Sequence, residues 1–299
     1  MTSTNELSCY STALAGYLRR GDPTAPLRVA RAIRTAVRVD LPSHLEFSHH
    51  ERVDHDDSGR MLVYRSAAGW AETRAALTGA VQAYGAVLAV GNARFLPWSP
   101  HHGRSAVPHW IQLDAERDGD WHVTDDFDAL LPCGTQRPFD GWLDDAALRT
   151  ALTPVGPLAR EIEARERYAL GTAATLPPTT HYRWLDYAAE DHHRDQGEWL
   201  TEPEAVLGHL TERLAEDDGL LARQVDDLWA VARHQVYRLR TLADAGELPP
   251  ATAHRAADCW SGLPRALRLA AESAARGRRR PGTVRRAFAG LPRTEGVLA

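Results

Sequence analysis

Apolar positions along the first 150 residues follow two different periods. From Cys9 to Arg20 they recur at helical spacing, with Ala13, Leu14, Tyr17 and Leu18 on one face and Gly21 and Pro23 as stop signals. Trp70 to Tyr84 repeats the pattern through Trp70, Leu77, Val81 and Tyr84, and Gly85 ends it. The run Ala86–Val90 is short and continuously apolar, which predicts a buried strand. His109–Asp114 and Asp120–Asp125 alternate with period two and flank Asp118-Gly119, a hairpin signal.

After Leu152 the character changes. Pro154, Pro157 and the stretch GTAATLPPTT (residues 171–180) read as connections, and helical periodicity dominates the rest of the chain. Thr201 and Glu204 have capping-box spacing ahead of Val206, Leu207, Leu210 and Leu214. A long helix carries Leu221, Val225, Leu228, Ala232, Leu239 and Leu242 up to Gly246 and Pro249-Pro250. Trp260, Leu263, Leu267 and Ala271 mark another helix, followed by the arginine-rich GRRRPGTVRR. The expected organisation is an α+β domain over residues 1–152 and an all-helical domain over residues 153–299, with no internal repeat.

Composition narrows the class without naming a chemistry. The 299 residues are 43% hydrophobic and 25% charged, as expected of a globular chain long enough for a substantial core. All 35 Lys+Arg residues are arginine, so neither a Schiff-base lysine nor a phosphate-loop lysine is present. A net charge of −5 argues against a general nucleic-acid binder. The opening MTSTNELSCYSTAL has no charged n-region or apolar h-region, and no long apolar run follows, so a cytoplasmic protein without membrane spans is expected. Cys9, Cys133 and Cys259 are too scattered for a disulfide framework or a zinc site.

Three residues combine into a possible catalytic set. Cys9 opens a helix, where unpaired N–H groups and the helix dipole favour a thiolate, although most cysteines are simply small buried hydrophobes. His109 opens a strand and shares a face with Ile111 and Leu113. Asp125 closes the next strand on the face of Trp121 and Val123. If like parity pairs with like, His109 and Asp125 become neighbours across the hairpin. A strict two-residue Asp118-Gly119 turn would break that pairing and bring Asp126 or Asp128 closer. A thiol, an imidazole and an orienting carboxylate are the parts of nucleophilic acyl transfer.

The segment from Gly85 to Phe127 resembles the N-terminal domain of the butirosin biosynthesis protein H family. The residues that carry the resemblance are Cys9 with STAL, Ala86–Val90, Phe95-Leu96-Pro97-Trp98, His109, Val123-Thr124-Asp125 and the later GWLDDAAL. It covers roughly residues 5–150 and implies a papain-like cysteine protease fold with Cys9, His109 and Asp125 as triad. It also implies transfer of an acyl group from an acyl or peptidyl carrier protein bearing a phosphopantetheine thioester, through a Cys9 acyl-enzyme, to an amine or by cyclisation. The partners expected are that carrier and a small-molecule acceptor. No cofactor, metal, nucleic acid or membrane is expected. Tyr10 stands where a glycine is common, and Asn5 is the only side-chain amide just upstream of Cys9. Asn5 and Tyr10, with the N–H groups of Cys9 and Tyr10, are the candidate oxyanion contacts, and Trp98 is the candidate wall of an acyl pocket. The alternatives are a thioesterase or peptidase using the same triad with water, and an inactive papain-like scaffold that binds a partner.

Other constellations carry less. His101-His102 lies in a Pro- and Gly-rich loop and competes with His109 as base. Asp186, Asp191, His192 and His193, like His49, His50, Asp54, His55 and Asp56, lack metal-ligand spacing and read as solvated segments. The Arg278–Arg280 and Arg285–Arg286 run reads as a solvated tail, with docking of an acidic carrier as the functional alternative.

Overall fold

The computed structural model describes residues 7–189 and 197–292. The chain is α+β, with helices and antiparallel sheets. It divides into two compact units, and neither is continuous in sequence. Among the described residues, 7–25 and 52–189 form the first unit, and 26–51 and 197–292 form the second.

In the first unit, helix α1 (Cys9–Gly21) matches the expected Cys9 start. Chain-order numbering continues with α2 (Ala25–Ala32), β1 (Ile33–Arg38) and β2 (Phe47–His50), which belong almost wholly to the second unit. The first unit resumes with β3 (Met61–Ala67), α3 (Trp70–Tyr84), β4 (Val87–Asn92), β5 (Pro108–Arg117) and β6 (Asp120–Asp125). After β6 come the hairpin β7 (Ala129–Leu131) and β8 (Gly134–Gln136), then β9 (Phe139–Leu143), α4 (Asp145–Ala151), α5 (Arg160–Arg167) and β10 (Tyr182–Ala188).

These strands form a six-stranded antiparallel sheet in the order β3-β10-β4-β5-β6-β9. Residues Pro108–Leu113 of β5 are all buried, so both faces of the strand are covered. On one face Tyr10 of α1 meets the edge of Trp110 at 5.1 Å between ring centroids. On the other, Leu77 and Ala80 of α3 join Val87, Ala89, Ile111, Leu113 and Val123 in a common core. Gly85 caps α3 with φ +74, a left-handed conformation that favours glycine, and returns its N–H to Val81.

The boundary expected at residue 152 is not where the fold divides. Strand β10 is inserted between β3 and β4, pairing with β3 from Tyr182↔Ala67 to Ala188↔Met61. Helical periodicity gave no sign of it, because a fully paired interior strand needs no amphipathic pattern. Residues 26–51, expected in the first domain, instead supply β1 and β2 to the second unit.

The second unit adds β11 (Trp199–Leu200) to a three-stranded sheet, β11-β1-β2. Four helices follow: α6 (Pro203–Glu216), α7 (Asp218–Asp244), α8 (Pro250–Ala275) and α9 (Pro281–Ala289). Their leucines, including Leu210, Leu214, Leu228 and Leu267, build one apolar core with Val37, Leu45 and Phe47. Two expectations change here. The Thr201/Glu204 capping box is not formed: Glu202 occupies the cap, makes no side-chain cap bond, and the helix starts at Pro203. The arginine run is no free tail, since Arg279 bonds Asp218 at 2.5 Å, Arg280 bonds Ser273 at 2.8 Å, and α9 begins at Pro281. Among the described residues no helix is long and apolar enough to cross a membrane.

Candidate active site

The β5–β6 hairpin sets the geometry. Its turn is the strict two-residue Asp118-Gly119, both at positive φ (+54 and +93), with Arg117 facing Asp120. By itself this turn pairs unlike parities, as in Glu116↔Trp121 and Ala115↔His122. A bulge at Asp114 then inserts one residue, and beyond it Leu113 faces Val123 and Gln112 faces Thr124. Like parity is restored, and His109 and Asp125 come to the same face. The Asp114 carboxylate holds the bulge, accepting from His122 Nδ1 at 2.6 Å and Arg20 Nη1 at 2.9 Å.

Asp125 is the hub. It is 4% exposed. Its Oδ2 accepts from His109 Nε2 at 2.7 Å, Trp98 Nε1 at 2.8 Å and Gln136 Nε2 at 3.3 Å. Its Oδ1 accepts from the Phe127 N–H at 3.0 Å. All four partners donate, which is the set an ionised carboxylate satisfies. Asp126, the alternative acid, turns toward α1 and pairs with Arg19 at 3.4 Å.

His109 is also buried. With Nε2 committed to Asp125, the ring's other nitrogen is left over, and the Cys9 thiol is near enough to favour a proton on the ring. Burial disfavours the charged ring, but the Asp125 charge and hydrogen bond, reinforced by Cys9, outweigh it and push His109 up to about 10. Opposite His109 on β4 stands Gly91, where an added Cβ would lie 3.1 Å from the His109 carbonyl oxygen. Glycine lets the two strands approach closely at the candidate catalytic position.

Cys9 is half-buried at the first position of α1. Ser8 is the N-cap, its hydroxyl oxygen accepting from Ser11 N–H at 3.4 Å, and the helical ladder opens with Thr12 N–H to Ser8 at 2.8 Å. The N–H groups of Cys9 and Tyr10 precede that first bond, so they have the position of helix-start donors.

Asn5 lies outside the described residues, as do Asp191, His192 and His193. The Tyr10 side chain is 7% exposed and packs on Trp110, so it is a core residue rather than a substrate contact. Trp98 stacks on Phe139 of β9 at 3.9 Å with an interplanar angle of 6°, and its N–H holds Asp125. It therefore holds the Asp125 carboxylate in place, a contact its sequence context did not suggest. His101 faces Cys133, with Nε2 3.4 Å from the sulfur. Among the described residues no cluster of three or more His, Cys, Asp or Glu is arranged to hold a metal.

Sequence reasoning missed Gln136, Phe139, Phe127 and Gly91. Gln136 comes from the short hairpin LLPCGTQ, where no periodicity marks a buried amide, and only the tertiary fold brings it to Asp125. Compared with protein families and with curated proteins, the chain matches none.

Proposed function

We propose that this chain is a papain-like cysteine acyltransferase that takes an acyl or peptidyl group from a carrier-protein thioester and delivers it to an amine, or closes it into a ring. The observation that carries the reading is the buried His109–Asp125 pair, with Cys9 at a helix start near enough to act on the ring, three residues drawn from three separate elements. An imidazole with a carboxylate on one nitrogen and a thiol near the ring is the set of groups that cysteine nucleophilic catalysis uses.

Each step uses one of those positions. The Cys9 sulfur attacks the thioester carbonyl carbon, and the developing oxyanion is met by the N–H groups at the start of α1. Collapse breaks the carbon–sulfur bond to the pantetheinyl thiol, which leaves with the proton of His109. The product is a Cys9 thioester beside a neutral imidazole. The acceptor amine then attacks, His109 takes its proton, and the amide leaves with Cys9 restored as thiolate. Asp125 stays ionised throughout and stabilises the charged ring. One thioester exchanges for another with little energy change, so the site's main contribution is to orient the acceptor and exclude water.

The test is intact-protein mass spectrometry with an acyl pantetheine thioester, with and without an amine. The expected result is a Cys9 acyl adduct that an amine discharges to amide, and no adduct in Cys9→Ala, which should keep its fold. Undiminished turnover in Cys9→Ala refutes the cysteine mechanism. Release of free acid alone, across a range of amines and without cyclic product, replaces transfer by hydrolysis.

A further inference from the structure

The second unit has a cavity of about 420 Å³ between α7 and α8. Its floor is apolar: Ala232 and Val236 of α7 face Pro264, a proline inside α8. Proline has no N–H for the carbonyl of Trp260 one turn earlier, so one rung of the ladder is missing within α8 beside the cavity. The rim is cationic. Arg233 rises from α7, and Arg265 and Arg268 rise from α8.

The charges on this rim are held in two ways. The Arg233 guanidinium sits over the Trp229 ring, 4.6 Å from its centroid, which restrains a long side chain before any ligand arrives. Arg265 and Arg268 have no carboxylate within 4.0 Å among the described residues, and no acidic residue lines the cavity. Other arginines of this unit do meet carboxylates, as Arg31 meets Glu247 and Arg279 meets Asp218. In a chain of net charge −5, two unmatched guanidinia converging on one concavity mark a site for an anion. Guanidinium forks suit phosphate, and a dianionic phosphate monoester balances two of them.

We infer that this cavity binds an organic phosphate, its apolar body against Pro264 and Val236 and its phosphoryl group between Arg265 and Arg268. The volume lies within the range of small-ligand sites. The inference stands on the second unit alone and is independent of the acyl-transfer reading.

Isothermal titration of the full chain at low ionic strength tests it, with 1-naphthyl phosphate, 1-naphthol, 1-naphthoate and inorganic phosphate as probes. Naphthyl phosphate should bind at least about tenfold more tightly than each of the others, because charge-assisted contacts and apolar burial both contribute. Arg265→Gln/Arg268→Gln should lose about tenfold or more of that affinity at unchanged melting temperature. Arg285→Gln/Arg286→Gln, in the other arginine pair, should bind as the wild type does. No binding of naphthyl phosphate at millimolar concentration overturns the proposal. So does equal binding of naphthol or naphthoate, or unaltered affinity in the Arg265/Arg268 variant. If that variant melts early, Arg268→Lys, which keeps the charge but not the fork, should still weaken binding, and full retention of affinity there counts against the site.

Discussion

Replacing Asp125 by asparagine changes charge at nearly constant shape, and the hydrogen bonds around it set the outcome. Three N–H donors converge on Oδ2 and one on Oδ1. An amide can turn its oxygen to the three, but its NH2 then confronts the Phe127 N–H. One buried donor is left unmatched, at a cost of about 1–3 kcal/mol. The larger effect is on His109. Its rise from 6.5 to about 10 corresponds to roughly 5 kcal/mol of preference for the charged ring, an upper figure for one buried group. A folded-state value above the unfolded one stabilises the fold fully below about pH 6.5, and that contribution is lost as pH rises toward 10. Wild-type melting temperature should therefore fall across pH 6.5–10. In Asp125→Asn, burial remains while the carboxylate's attraction is gone, so His109 should titrate lower and this component of the slope should vanish. Melting curves at half-unit pH intervals, with NMR titration of the His109 ring, read both effects. Acyl-adduct formation should drop by about a hundredfold or more, as expected when a base loses its orienting acid. Asp126→Asn, which removes only an exposed pair with Arg19, should match wild type in both assays. An unchanged slope in Asp125→Asn, or equal loss in Asp126→Asn, refutes the assignment of the acid.

Two further substitutions probe the supports of the pair. Trp98→Phe keeps an aromatic face for Phe139 but removes the N–H to Asp125, so acylation should fall about tenfold with a stability loss of about 1–2 kcal/mol; acylation rate and chemical denaturation measure these. Gly91→Ala places a methyl 3.1 Å from the His109 backbone, so the acylation rate should fall about tenfold while Cys9 and Asp125 are untouched, and an unaltered rate would show that β4 and β5 have room to part.

How much of this was legible in the chain depends on the range over which the cause acts. Trp70–Tyr84 and Asp120–Asp125 were readable to the residue, because helix and strand periods are local properties and Gly85 punctuates the first. The candidate set was readable as a juxtaposition too: parity along each strand is set by the backbone, and apolar neighbours reveal which parity is buried. The register joining the strands was not, since the bulge at Asp114 looks like any other strand residue. Nor was β10, whose partners β3 and β4 lie more than ninety residues away. The same holds for Gln136 and for the Trp98–Asp125 bond, which exist only once the β7–β8 hairpin and the loop after β4 have folded against β6. Tyr10 shows the converse error: next to Cys9 in sequence, its side chain points into the core because adjacent helical positions face about 100° apart.

The turn and the bulge in the β5–β6 hairpin act as a parity check on evolution. Each alone shifts the pairing by one residue and would send His109 and Asp125 to opposite faces; together they cancel. With the bulge kept, a single-residue insertion or deletion between the two residues turns one of them to the opposite face unless a second one compensates it, whereas loss of the bulge residue alone leaves Leu113 opposite Val123 and the faces intact. Remote relatives that keep the pair should show an even number of steps between the histidine and the acid where a two-residue turn comes with a bulge, and an odd number where that turn comes without one. That arithmetic persists after side-chain identity has faded, and it gives a criterion for recognising such chains from their sequences.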